Sequence, residues 1–262
     1  MDQVLRICRF LASQGADRDA LLLACGGGSI SDMAGFAASI YKRGIRVAFV
    51  PTTLLAMADA AWGGKNGVNL DGVKNALGAF LQPEFVEPLP GALDTLPERE
   101  ILSGGAEILK TFLICDEPLY REAVQALSRR DLPRLEKLAL KAAAIKMKIV
   151  EKDPFDRGER HLLNLGHTFG HALEWYEPQR YTHGEAVAAG ILMAAQISEE
   201  RGIAREGLQE ALAADFKLCG LPSQFPPVPQ EKLLAAIAQD KKRQGGELRL
   251  VLMEKPGKAL IV

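Results

Sequence analysis

Every histidine in the chain, His161, His167, His171 and His183, falls within the stretch GERHLLNLGHTFGHALEWYEPQRYTHGE at residues 158–185. Neutral imidazole is the side chain most often offered to a divalent metal, and it is also the commonest acid–base catalyst near neutral pH. His167 and His171 are four apart, so on a helix they project from one face, and that spacing predicts that both face a metal. His183 opens HGE, the entry to a following helix, and can reach back across an antiparallel helix pair. The ordinary alternative is a polar helix-loop-helix whose histidines face solvent. Upstream, Glu107 and Lys110 (AEILK) stand three apart on one helix face. Most such pairs are surface ion pairs worth little. A carboxylate is equally the natural third ligand beside two histidines where a metal keeps an open position. Spacing leaves both readings open.

A second group of residues suits anions. The apolar run 20–25 has strand length, Gly26-Gly27-Gly28 follows it, and residues 29–41 carry helical spacing. Strand, glycine turn and helix place backbone amides and a helix N-terminus where a phosphate can bind, although three glycines are also simply a turn. Asp32 is expected in the first helical turn, where it suits the positive end of the dipole or faces a ligand. A second parallel strand, 47–50, ends at Pro51-Thr52-Thr53, and loops at such strand ends are where α/β folds bind ligands. Beyond it come Asp59, Gly63-Gly64-Lys65, Asn66-Gly67, Asn69 and Lys74-Asn75, expected as a glycine-rich loop. Lysines in that setting suit phosphate, or they are solvated charges on an ordinary surface loop.

The elements that must position these residues divide in two. A helix over 3–14, stopped by Gly15, precedes the first strand. From about residue 95 to 241 helical periodicity dominates: 97–112, 117–127, 134–149, 162–175, 184–201, 207–218 and 230–239. Two short strands, 248–253 and 259–262, close the chain as a hairpin across a Pro-Gly turn. The expected fold is an α/β N-terminal part (1–94) with a partial Rossmann-like parallel sheet, followed by an all-α C-terminal domain (95–262), with a cleft between them. The 262 residues carry 32 basic and 33 acidic groups, so no global field points to nucleic acid or an anionic membrane. The longest apolar run, 186–195, is too short to span a bilayer, and the N-terminus lacks a signal-peptide pattern. Cys8, Cys25, Cys115 and Cys219 form no CxxC pair, which predicts a reduced compartment and unpaired buried thiols. A soluble cytoplasmic protein is expected.

Several blocks are longer than any local argument needs: CGGGSISDMAGFAASIYKRGIRVAFVPTTLLAMADAAWGGKNGVN, VKNALGAFLQP, LPERE, GGAEILK, RHLLNLGHTFGHALE, HGEAVAAGI and DKK. Their identity and order resemble the signature blocks of the 3-dehydroquinate synthase family over nearly the whole chain. The resemblance implies zinc or cobalt held by Glu107, His167 and His183, so that His171 becomes a catalytic residue and not a ligand. It implies NAD contacts at Gly27, Gly28, Asp32, Thr52, Thr53, Asp59, Lys65 and Lys74. Catalytic positions fall on His171, Lys110, Asn164 and Asp59. Substrate positions fall on Lys65, Lys74, Asn75, Lys146, Arg160, Lys241 and Lys242, with Arg43 donated by a second subunit of a homodimer. The implied substrate is a small sugar-acid phosphate, 3-deoxy-D-arabino-heptulosonate 7-phosphate, converted to 3-dehydroquinate and phosphate, a carbon–oxygen lyase reaction of the shikimate pathway.

The chain also departs from the pattern. Much of the usual N-terminal nucleotide-binding half is missing before Gly26, and the C-terminus stops a little early. Ala60 and Ala61 replace two serines, Asn66 a threonine and Val73 a glycine. Two other outcomes therefore stand beside the first: another sugar-phosphate cyclase or NAD- and metal-dependent polyol dehydrogenase, or an inactive fragment. Lys146 and Arg160 argue against a carboxylate-free substrate.

Overall fold

The computed structural model describes the chain apart from Gly72, Gln179 and residues 244–248, and, as to side chains, apart from Lys74 and residues 239–243. The chain folds as two units, Met1–Leu96 and Pro97–Val262.

In the first unit, helix α1 (Asp2–Ser13) leads into strand β1 (Leu21–Gly26), helix α2 (Gly28–Ile40) and strand β2 (Arg46–Pro51). β1 and β2 pair in parallel, from Leu21 opposite Arg46 to Gly26 opposite Pro51. Residues 84–89 run along β2; the Phe49 N–H donates to Phe85 O at 3.1 Å and the Glu87 N–H to Phe49 O at 2.9 Å. Leu11, Ala34, Ala38, Val47 and Phe49 close one core beneath the sheet. Asp32 lies in the second turn of α2, not the first, because the helix begins at Gly28. The segment expected as a loop is instead a hairpin, β3 (Lys65–Leu70) and β4 (Val73–Phe80), with Gly67 opposite Gly78. Gly, Asn and Lys are poor strand formers, so tertiary tethers decide here. Buried Asn66 supplies one: its Nδ2 donates to the carbonyls of Gly64 and Leu81, both at 2.9 Å. Its Oδ1 lies where a side chain on Gly35 of α2 would begin, 1.9 Å from that Cβ position.

The second unit is helical: α3 (Glu98–Cys115), α4 (Glu117–Ser128), α5 (Leu132–Lys152), a 3-10 turn (Glu159–Asn164), α6 (His167–Tyr176), α7 (His183–Glu200), α8 (Leu208–Cys219) and α9 (Gln230–Arg243). Hairpin β5 (Val251–Lys255) and β6 (Lys258–Ile261) closes it, displaced from the expected 248–253 and 259–262. Asp116 and Asp131 cap α4 and α5 by accepting the N–H of Leu119 at 2.9 Å and of Arg134 at 3.2 Å. Beyond its first turn α3 is uncharged on every side except at Glu107 and Lys110, so it sits centrally, and every residue from 103 to 114 is buried. It packs on α4, α5 and α7, and α6 packs along α7. The helix expected over 162–175 begins only at His167, because Gly166 turns left-handed (φ 77°) and breaks it from the 3-10 turn.

The cysteines are all unpaired, but only Cys219 is buried; Cys25 and Cys115 are exposed and Cys8 is partly covered. No helix among the described residues is long and apolar enough to cross a membrane.

Candidate functional site

Three helices deliver the histidine cluster. Glu107 comes from the middle of α3, His167 is the first residue of α6, and His183 is the first of α7. Close backbone approach sets their spacing. A Cβ on Gly184 would lie 2.2 Å from Ser103 O, so glycine lets α7 begin against α3, and the Gly184 N–H donates to Ser103 Oγ at 3.0 Å. A Cβ on Gly190 would lie 2.0 Å from Gly166 O, which brings α6 onto α7. The α7 N-terminus is fixed by a capping box between Thr182 and Glu185. Arg99 clamps the same Glu185 through two hydrogen bonds, at 3.1 and 2.7 Å.

The result is a carboxylate facing imidazoles. Glu107 Oε1 lies 3.3 Å from His183 Nε2 and 3.6 Å from His167 Nε2, and ligand atoms of all three residues lie within 4.8 Å of one another. Lys110 Nζ sits 2.5 Å from Glu107 Oε2, both side chains buried, so this is not the surface pair that spacing also allowed. His167 Nδ1 is 3.2 Å from Leu165 O; a carbonyl can only accept, so Nδ1 carries the proton and Nε2 turns its lone pair toward Glu107. Burial by itself would raise the Glu107 carboxyl, but Lys110, His167 and His183 outweigh it and hold the group well below the usual carboxylate range. Burial, then the Lys110 charge, push His167 well below the usual imidazole range. Burial opposes the charged form of His183 too, yet Glu107 and Glu174 raise it to about 9.

This donor set fits a divalent cation. Glu107 is fully buried, and neither of its oxygens accepts a hydrogen bond of normal geometry. Lys110 balances its charge at Oε2, and Oε1, turned toward the two imidazoles, is the oxygen that a cation would complete. Two imidazole nitrogens and one carboxylate oxygen are the three-ligand set that leaves a fourth position open. His171, one turn along α6, places its ring 5.3 Å from that of His167 and 6.2 Å from that of His183. His171, Glu174 and His183 form a second group of close ligand atoms. Glu174 is not among the residues that the sequence singles out; H-x3-H-x2-E, on one face of α6, is the signal that would have found it.

The remaining candidates divide by unit. Arg160 and Lys146 are buried, Lys146 on α5 and Arg160 in the 3-10 turn, where its Nη1 donates to Pro154 O at 2.8 Å. Asp153 holds that turn by accepting the N–H groups of Arg157, Gly158 and Arg160. Asn164 Nδ2 lies 3.4 Å from His161 Nδ1. In the first unit, Asp32, Lys65, Asn66, Asn75, Gly78 and Phe80 line a cavity of about 460 Å³. Gly27 caps α2, and a Cβ there would lie 2.9 Å from Thr53 Cγ2. The Thr52 N–H donates to Gly26 O at 3.0 Å, and Gly28 begins α2. Asp59 lies on a π-helical turn (Ala56–Ala60), and Arg43 is exposed with φ 71°. The side chains of Lys74, Lys241 and Lys242 lie outside the described residues.

The chain is similar to known proteins along its length. Residues 1–103 match a family model described as 3-dehydroquinate synthase N-terminal, and residues 104–243 one described as 3-dehydroquinate synthase C-terminal. A 3-dehydroquinate synthase of Halorhodospira halophila is 45% identical over 250 residues, covering 94% of this chain and 70% of that protein. One from Acidithiobacillus ferrooxidans is 42% identical over 265 residues, covering 100% and 73%. Among solved structures, 2-epi-5-epi-valiolone synthase from Streptomyces hygroscopicus, with NAD+ and Zn2+ bound, superposes with a TM-score of 0.93 at 29% identity, covering 100% of this chain and 74% of that one. A 2-deoxy-scyllo-inosose synthase complexed with carbaglucose-6-phosphate, NAD+ and Co2+ gives 0.90 at 28% identity with the same coverage.

Proposed function

This chain belongs to the 3-dehydroquinate synthase family, and from that premise we propose that it converts 3-deoxy-D-arabino-heptulosonate 7-phosphate to 3-dehydroquinate and phosphate with NAD and a divalent metal, zinc or cobalt. The observation that carries the reading is the buried Glu107 carboxylate facing the Nε2 atoms of His167 and His183. When bound, the metal would supply Lewis acidity to substrate hydroxyls, and NAD would accept and return a hydride. The work of the chain's own residues is binding, orientation and proton handling.

In the second unit, Glu107, His167 and His183 would hold the metal, and Lys110 would balance the carboxylate's charge while offering an ammonium to a substrate oxygen. Lys146 and Arg160 are the groups for the substrate carboxylate: a buried guanidinium held by its bond to Pro154 O presents a planar fork to a planar anion. His171, within a ring's breadth of both metal-binding imidazoles, is placed to take and return a proton, with Asn164 orienting the hydroxyl concerned. In the first unit, Gly27, Gly28, Asp32, Thr52, Thr53 and Asp59 are proposed for NAD. Lys65, Lys74 and Asn75 are proposed for NAD or the phosphate, and Arg43 would reach the phosphate of a partner subunit in a homodimer. Lys241 or Lys242 would complete the anion contacts.

The test supplies the purified protein with zinc, NAD and the heptulosonate phosphate and measures phosphate release. Release supports the reading. No release, together with turnover of a carboxylate-free sugar phosphate, moves the chain to another cyclase reaction, of the kind named for its structural neighbours.

A further inference from the structure

Resting on the metal site proposed above, we infer that Glu174 is a positioning residue that selects which nitrogen His183 presents to the metal. The two imidazoles are alike at one end and unlike at the other. Each aims Nε2 at Glu107 Oε1, at 3.6 Å for His167 and 3.3 Å for His183. His167 has its Nδ1 committed to a backbone carbonyl, Leu165 O, which the turn ahead of α6 holds in place. The Nδ1 of His183 instead faces Glu174 Oε1 at 3.4 Å, a side chain reaching from the far end of α6. Both partners are largely covered, with the imidazole 26% and the carboxylate 20% exposed.

An ionised carboxylate only accepts hydrogen bonds, so Glu174 fixes the proton of neutral His183 on Nδ1 and leaves the Nε2 lone pair for the metal. Without it, the proton can sit on Nε2, and the nitrogen nearest Glu107 ceases to be a ligand. The same geometry argues against Glu174 as a ligand in a second site with His171 and His183, because its near oxygen is already turned to the His183 N–H. Glu174 thereby does for α7 what the Leu165 carbonyl does for α6.

The experiment compares the full chain with Glu174→Ala and Glu174→Gln. Zinc affinity and stoichiometry come from competition with a chromophoric chelator, and the His183 tautomer from nitrogen chemical shifts of histidine-labelled, zinc-loaded protein, in which the imidazole is neutral. Urea unfolding of the metal-free forms shows whether each variant folds. The expected result is one zinc per wild-type chain with His183 protonated on Nδ1. Affinity should fall about 10- to 100-fold in Glu174→Ala with a mixed tautomer, and recover substantially in Glu174→Gln, whose amide oxygen still accepts. Should Glu174→Ala fail to fold, the recovery and tautomer of Glu174→Gln decide. Wild-type affinity and an unchanged tautomer in Glu174→Ala overturn the inference alone. A second zinc, lost in both variants, overturns it by making Glu174 a ligand. A wild-type chain that binds no zinc overturns the metal site itself, and the inference with it.

Discussion

Glu107 and Lys65 each carry a charge that a ligand would answer, but their surroundings are opposite. Glu107 is sealed in the middle of α3, with Lys110 2.5 Å away and two imidazoles fixed by the starts of α6 and α7. Lys65 stands exposed on a hairpin built from Gly, Asn and Lys. A buried charge that loses its partner is uncompensated in a poorly polarisable interior, whereas an exposed one keeps its water. The helical cluster is therefore prepared before any ligand arrives and its members depend on one another. The hairpin lysine, standing in water, should matter more to what binds it than to the fold.

The sharpest test of that contrast is the metal. Glu107→Ala, His167→Ala and His183→Ala should each leave no stoichiometric zinc by metal analysis and no measurable phosphate release. His171→Ala should retain zinc and lose about 10²- to 10⁴-fold in kcat. Loss of zinc in His171→Ala would reverse the ligand assignment. Next in size is Lys110→Met, which strands the carboxylate: the metal-free protein should lose about 3–5 kcal/mol in urea unfolding, and visibly less once zinc is added.

A third effect is pH. The folded-state value of His183 is raised to about 9 by Glu107 and Glu174 against burial. Its contribution to the metal-free protein is thus complete below the unfolded imidazole value, about 6.5, and is lost as pH rises through about 9. Glu107 and His167, both held low, contribute in the other sense: the share of each is present above its ordinary range and lost on acidification, His167 first. Urea midpoints of the metal-free chain should therefore fall on both sides of a maximum at about pH 6, and zinc should flatten the alkaline limb by displacing the proton. The smallest stability effect belongs to the hairpin. Lys65→Ala should move stability by less than about 0.5 kcal/mol while raising KM about tenfold or more through a lost charge-assisted contact. A stability cost near that of Lys110→Met would erase the distinction between the two regions.

What the sequence discloses follows the same division. The histidines are visible by type and spacing, and the core of α3 is visible because Glu107 and Lys110 alone interrupt a long uncharged stretch of helix. The tertiary step is not visible. Spacing alone puts His167 and His171 on one metal-facing side; which nitrogens turn toward Glu107 depends on the Leu165 carbonyl and on Glu174, neither of which is a property of local periodicity. The family resemblance, not geometry, supplies the set Glu107, His167 and His183. The hairpin reads as a loop in sequence for a physical reason: its strands are held by cross-strand pairing and by Asn66 packed against Gly35, not by residue preference. That packing also gives Asn66, a departure from the family pattern, a structural role.

The close approach at Gly166 and Gly190 bears on how the protein tolerates change. There the helices bearing His167 and His183 approach main chain to main chain, with Ile191 beside Gly166 the one side chain among the atoms nearest the two glycines. Substituting leucines elsewhere in the helical unit alters how tightly it is filled, but the gap separating those imidazoles is ruled by peptide atoms. Metal affinity should accordingly survive variation of the surrounding hydrophobic residues, and fail abruptly when a single methyl group is added at either glycine.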